Sequence, residues 1–174
     1  RRYEGPVRVE RTSVVRAGVP VADTVLQRDT SATYLFVDDV VAQATMDTRI
    51  TEGADRERVR TGFTNGVPSV SIVIDPKFLF DKDIGIYVNA LREWERLALV
   101  EQIDPVNGPA NEWSAPVGLS IRGGSSRNAD HAKHSFHLAF RRDYGLNKLK
   151  FPLFGDEGAS SFKKLDLRTS QNYA

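Results

Sequence analysis

The chain has no cysteine and a single methionine among its 174 residues. Disulfides, cysteine-held zinc, iron–sulfur clusters and thiol nucleophiles are therefore excluded. It has no apolar run near the ~18 residues a membrane-spanning helix needs, so no membrane span is expected. It also lacks charge of one sign: 24 Lys+Arg stand against 23 Asp+Glu. That balance argues against a wholly basic nucleic-acid binder, and no specific nucleic-acid partner is expected. The sequence opens at Arg1 with no Met and no signal-peptide pattern. With an alternating apolar run close to Ala174, the expectation is a piece of a larger protein, with neighbouring domains as partners.

What is present is ordinary globular chemistry. Hydrophobic residues make up 40% and charged residues 27%, which is not a disordered composition. The length suits one domain, or one domain and a stub, and roughly two-thirds of the unfolded surface can be buried at this size. No internal repeat is visible, and three regions follow from punctuation and patterning. Residues 1–36 read as short strands at Val7–Val9, Ser13–Ala17 and Ala32–Phe36, separated by Gly5-Pro6 and Gly18-Val19-Pro20. So few strands are marginal alone, so they are expected to close a partial β-sandwich. Residues 37–66 read as a connector, with Asp38-Asp39 capping a short helix and a polar surface loop from Thr45 to Asn65.

Residues 67–174 form the main unit. Val70, Ile72 and Ile74 alternate with serine and valine, a strand pattern. Asp75-Pro76 then pairs an N-cap with a helix-opening proline, ahead of Phe78-Leu79-Phe80. Ile84–Val88 reads as another strand. Leu91–Ile103 fits two patterns, and the residues alone favour the helix. Leu91, Trp94, Leu97 and Ala98 share a helical face; Leu97, Leu99 and Ile103 share a strand face that Glu101 interrupts. Turn chemistry at Asp104-Pro105 and Asn107-Gly108-Pro109 follows. Val117, Leu119 and Ile121, then Phe136, Leu138 and Phe140, make a strand–loop–strand unit, with a last strand at Phe162–Leu167. The expected class is α+β, mainly antiparallel sheet with short helices.

The stretch 122–150 carries the most chemistry. It holds seven cationic side chains against two carboxylates, Asp130 and Asp143. Within it, Arg122-Gly123-Gly124-Ser125-Ser126-Arg127 joins two strands. Glycines let backbone N–H groups approach an anion, and serine hydroxyls add donors. Arg122 and Arg127 flank the turn with forked positive charge. Lys133, six residues on, could reach back to a phosphate, as the strand lysine does beneath a kinase phosphate loop. The spacing is not that of a Walker A loop. The alternative is a solvated hairpin with scattered basic residues, or a non-specific polyanion site.

Other constellations have structural readings beside the chemical ones. His131, His134 and His137 share a helical face that could suggest a metal site, but loop-into-strand structure would turn His134 and His137 to opposite faces. Asp38-Asp39, Asp75, Asp81 and Asp83 could serve acid–base work and equally fit caps and turns. Trp94 and Trp113 read as core or interface aromatics.

Taken in order, several blocks resemble the CotH kinase family, the atypical protein kinases first associated with spore coats. They are Val70–Pro76, Leu79–Asp81, Gly85–Asn89, Trp94–Arg96, Ile103–Pro105, Ile121–Arg127, Lys133–Phe136, Tyr144-Gly145, Phe151–Asp156 and Leu165–Arg168. Tyr3–Pro6 and Thr12–Ala17 resemble the end of a chitobiase C-terminal or fibronectin-like β-sandwich. The resemblance implies the nucleotide-binding lobe of a diverged protein kinase over 67–174. Such a domain uses ATP and Mg to phosphorylate Ser or Thr hydroxyls of a partner protein, in a secreted or bacterial cell-surface setting. It assigns nucleotide binding to Arg122, Gly123, Gly124, Ser125, Ser126, Arg127 and Lys133, with Lys133 on the phosphates. Many members have Asn in place of Gly124, and a second basic residue in place of His134. The catalytic carboxylates would lie downstream of the chain, so no catalytic residue is assigned. The resemblance also favours an extended segment over 96–103. A pseudokinase, or a scaffold for cell-wall contacts, is the alternative.

Overall fold

The computed structural model describes residues 3–18, 29–44 and 46–169. They form an α+β chain of mostly antiparallel sheet with a few short helices. It divides into two compact units. One runs up to Ser71 and takes in Glu101–Glu112; the other holds Ile72–Val100 and what is described from Trp113 onward.

In the first unit, β1 (Ser13–Gly18) and β2 (Asp29–Tyr34) pair as an antiparallel hairpin, with Ser13 opposite Tyr34. Val7–Val9 is not a strand; it lies outside the ladder. Helix α1 (Val37–Val41) follows, but Asp38-Asp39 does not cap it. The N-cap position is Phe36, and the two carboxylates sit inside the first turn, where they favour the helix dipole. Asp39 instead accepts the Thr12 N–H at 2.6 Å, and Asp38 pairs with Arg60.

The expected loop over Thr45–Asn65 instead carries two helices joined by a short turn; Thr45 itself lies outside the described residues. Helix α2 (Thr48–Thr51) is capped by Asp47, which accepts the Arg49 N–H at 2.9 Å. The Arg49 side chain, then its backbone N–H, hold the Asp47 carboxyl down to about 2. Helix α3 (Asp55–Asn65) packs on α1 and α2. Its composition looks like a linker's, but Asp55 and Glu57 suit a first turn and Arg58 pairs with Asp55 three residues back. Val59 and Phe63, one turn apart, are its half-buried pair.

Five strands make the main sheet: β3 (Ser69–Val73), β4 (Arg96–Ile103), β5 (Trp113–Arg122), β6 (Ser135–Ala139) and β9 (Lys164–Leu167), in the order β3-β4-β5-β6-β9. Residues 96–103 are therefore strand; the helical face through Leu91–Ala98 is realised only as a single 3-10 turn at Ala90–Arg92. A short pair, β7 (Leu149–Lys150) and β8 (Ser161–Phe162), stands apart. Asp75 caps α4 (Pro76–Phe80), accepting the Lys77 N–H at 3.0 Å. Ile84–Val88 is not a strand. Asp81 accepts the N–H groups of Asp83 and Ile84, and the chain winds back so that Ile86 and Tyr87 donate to the carbonyls of Phe78 and Leu79. That turn buries Ile86 completely.

The core of the second unit lies on one face of the sheet. Val117, Leu119 and Ile121 of β5 and Leu138 of β6 are buried, with Phe136, Leu165 and Leu167 packed against them. Alternation sends every other residue to the opposite face. Gly118 of β5 is part of that second face because Glu95 and Tyr144 lie over it, the Tyr144 ring 2.6 Å from where a Cβ would stand.

Glu101, which interrupts the apolar pattern of β4, is 6% exposed and has a structural task in the first unit. Its carboxylate accepts the Thr33 N–H at 2.8 Å and the Ser31 hydroxyl, both on β2. Asp104 is likewise buried. It accepts the N–H groups of Val106 and Asn107 and the amides of Asn107 and Asn111. The Asn107 side chain and backbone, then Asn111, hold its carboxyl well below the usual range. Glu101→Ala strands donors on β2, so it should lower stability by about 2 kcal/mol, the scale of hydrogen bonds to a charged group. A urea midpoint equal to that of the native chain would refute this role for Glu101.

Candidate phosphate-binding site

Strand β5 ends at Arg122, and the next four residues turn the chain toward β6. Gly123 has φ 119°, which side chains with a Cβ rarely adopt, and a Cβ there would overlap the Ser126 hydroxyl. Gly124 has φ −98° and ψ −97°, with open space where its Cβ would be. Ser125–Arg127 then forms a 3-10 turn closed by Arg127 N–H to Gly124 O at 3.2 Å and Asn128 N–H to Ser125 O at 3.0 Å. Among the described residues no partner takes the N–H groups of Gly123 and Gly124 or the hydroxyls of Ser125 and Ser126.

Five of the seven expected residues, Arg122 through Ser126, line one cavity of about 540 Å³. Ser135, Asp166 and Arg168 complete it. These three were missed as site residues. Their signal is the alternation of β9: Asp166 and Arg168 flank Leu167, so they share the face opposite the core. In register, Ser120, His137 and Asp166 stand side by side on β5, β6 and β9, and Arg122 stands beside Ser135. Two guanidinium groups against one carboxylate leave the cavity net positive.

That carboxylate is tied down. Asp166 Oδ1 meets His137 Nδ1 at 2.5 Å, and Oδ2 accepts from Arg122 Nε at 3.2 Å. Partial burial pushes the Asp166 carboxyl up; His137 and Arg122 outweigh it and hold the group below the ordinary carboxylate range. Ser135 is also engaged, its hydroxyl accepting the Thr169 N–H at 3.1 Å.

Arg127 and Lys133 do not line this cavity. Arg127 donates from Nη1 to Glu93 Oε1 at 2.7 Å and faces two neighbouring hollows. Lys133 is exposed at the entry to β6. His134 is turned inward: its Nδ1 lies 2.8 Å from the Ser126 carbonyl, so that nitrogen carries the proton and donates. His137 joins the opposite face, and among the described residues no three metal-ligating side chains come together. Asp75, Asp81 and Asp38 serve caps, turns and an ion pair.

No family model, curated protein or solved structure matches the chain.

The two glycines should respond differently. Gly123→Ala meets both the positive φ and the Ser126 hydroxyl, and should cost about 1–3 kcal/mol. Gly124→Ala enters open space and should change the melting temperature little; equal losses in the two variants would contradict this loop geometry. The Asp166 network also sets a pH response. A lowered folded pKa contributes stability above the unfolded carboxylate value of ~3.9, and the contribution is lost as pH falls through the folded value. Asp166→Asn should therefore be less stable than the native chain at pH 7, with the gap narrowing in urea titrations as pH falls below about 4.

Proposed function

We propose that the 122–126 loop, with Arg122 and Arg168, holds the phosphates of a nucleotide. On this reading residues 67–174 are the nucleotide-binding part of a CotH-like atypical protein kinase domain. The β1–β2 hairpin is read as the end of the preceding β-sandwich. The whole protein would bind ATP and transfer its terminal phosphate to Ser or Thr of a partner protein, at the bacterial surface or outside the cell. The observation that supports this most is the convergence of unbonded backbone N–H groups, two serine hydroxyls and two arginines on one cavity. Such a set matches a polyphosphate's oxygens, because oriented N–H groups and forked guanidinium groups both favour anions. Gly124 also leaves room for the asparagine that many family members carry there.

The chemistry this chain can supply is binding and charge neutralisation. The cavity's one carboxylate, Asp166, is committed to His137 and Arg122. The residues present do not make a magnesium site, so the reading stops at phosphate binding and gives magnesium no ligand from this chain. No residue is assigned to orient a substrate hydroxyl. One observation favours the rival reading, a pseudokinase or surface scaffold: Lys133 stands outside the cavity lining.

Calorimetry with ATP and magnesium tests the proposal. Arg122→Ala and Arg168→Ala should each weaken binding about 10- to 100-fold, the worth of a charge-assisted hydrogen bond. Affinity that ignores both substitutions removes the proposal. Lys133→Met separates the two readings: a kinase lobe loses affinity, and a scaffold that never places Lys133 on phosphate does not.

A further inference from the structure

A smaller cavity, of about 240 Å³, adjoins the loop on the polar face of the sheet. Glu93, Ser120, Arg122, Gly123, Arg127 and His137 line it, and Arg122 and Gly123 line the loop cavity as well. Its permanent charges cancel in pairs. Arg127 donates to Glu93 at 2.7 Å, and Arg122 donates to Asp166 at 3.2 Å. Two guanidinium groups thus stand against two carboxylates, and the charge of His137 decides the sign of the whole.

The two ring nitrogens of His137 have different tasks. Nδ1 lies 2.5 Å from Asp166 Oδ1. Asp166, whose carboxyl lies below the ordinary range, is ionised near neutral pH and only accepts, so Nδ1 carries the proton and donates. Nε2 has no partner among the described residues, and it is not sealed from solvent although the side chain is only 17% exposed. The same holds for the hydroxyl of Ser120, which stands beside His137 in register. In the neutral ring Nε2 is an acceptor and repels an oxyanion; in the protonated ring it is a charged donor. One proton therefore changes both the net charge around the cavity and the direction of its free hydrogen bond. The charged groups facing His137 are Asp166 from β9, Arg122 from β5, and Glu93 and Arg127 across the cavity. Lys164 and Arg168 stand two residues to either side of Asp166. Carboxylates and guanidinium groups keep their charge over the range where an imidazole titrates.

We propose that this cavity is an acid-activated subsite for a tetrahedral oxyanion, a phosphate group or its like, and that it fills when His137 is protonated. Nε2 and the Ser120 hydroxyl donate to the anion, and Arg122 adds its charge. The inference goes beyond the phosphate reading of the loop. It shares Arg122 and Gly123 with that site but none of the other loop donors, so either can fail alone.

Sulfate is the probe, because its charge is constant where an imidazole titrates. It is added at constant ionic strength, held with sodium chloride, and followed by amide nitrogen–proton NMR. Saturable shifts should appear at Glu93, Ser120 and His137. Their half-saturation should be about tenfold lower at about pH 5.5 than at about pH 8, the scale of one charge-assisted hydrogen bond. His137→Gln should hold the weaker affinity at both pH values, while His131→Gln keeps the contrast. A measurement on the native chain needs no variant to fold: by linkage, saturating sulfate should move the titration midpoint of the His137 ring upward and leave that of His131 in place. Equal affinity at the two pH values, a contrast that survives His137→Gln, an unmoved His137 midpoint, or no saturable shift would each overturn the proposal. Shifts confined to Ser125, Ser126 and Arg168 would overturn it too, while leaving the loop site standing.

Discussion

The period of two in three register-locked strands governs the second unit. Leu119 stands beside Leu138 and Leu165, and Ile121 beside Phe136 and Leu167. A one-residue slip of any one strand would turn its pair outward, so burial of these side chains fixes the register. The same register then dictates the other face. Ser120, His137 and Asp166 must stand in a row there, with Arg122 beside Ser135. The charged groups are brought together as the by-product of packing the apolar ones. The net positive charge of the cavity follows from which side of the pleat each arginine occupies.

Two glycine-dependent close approaches refine that polar face. At Gly118 the missing Cβ lets Glu95 and Tyr144 lie on the sheet, where Glu95 accepts the Tyr144 hydroxyl at 2.9 Å and Arg141 Nη2 at 3.1 Å. Burial, then the Glu95 contact, push the Tyr144 hydroxyl above its ordinary pKa. At Gly123 the missing Cβ lets the Ser126 hydroxyl fold under the loop. One glycine allows a carboxylate to be neutralised locally; the other leaves hydroxyl and N–H donors unspent. The face is thereby divided into a satisfied end around Tyr144 and an unsatisfied end around the loop.

Much of this was legible from sequence where periodicity was strict. The strands around Val117–Ile121 and Phe136–Phe140, the Asp75-Pro76 cap and the Gly/Ser loop all follow from local pattern. The helices over 48–65 were not legible as such, because their support is i,i+3 charge pairing and packing among three short helices, and composition alone resembles a linker. Ile84–Val88 misled because the N–H groups of Ile86 and Tyr87 donate to α4 carbonyls and not to a neighbouring strand. Glu101 looked like an error in a strand; its partners on β2 are about 70 residues away in sequence. Five of the eight residues lining the candidate site were visible in 122–126. Arg168 and Asp166 were not, since only the β6–β9 register carries them to the loop. The kinase-lobe resemblance remains a proposal that rests on ordered sequence blocks.

The central claim is that the loop donors and two arginines form one anion site. Mapping amide shifts while adding tripolyphosphate tests it most directly, because the probe carries no base or sugar. The account predicts saturable shifts at Gly123, Gly124, Ser125 and Arg168, unchanged in register across β5 and β6. Shifts scattered over the exposed lysines, fading together as salt is raised, would show general polyanion attraction instead and contradict it.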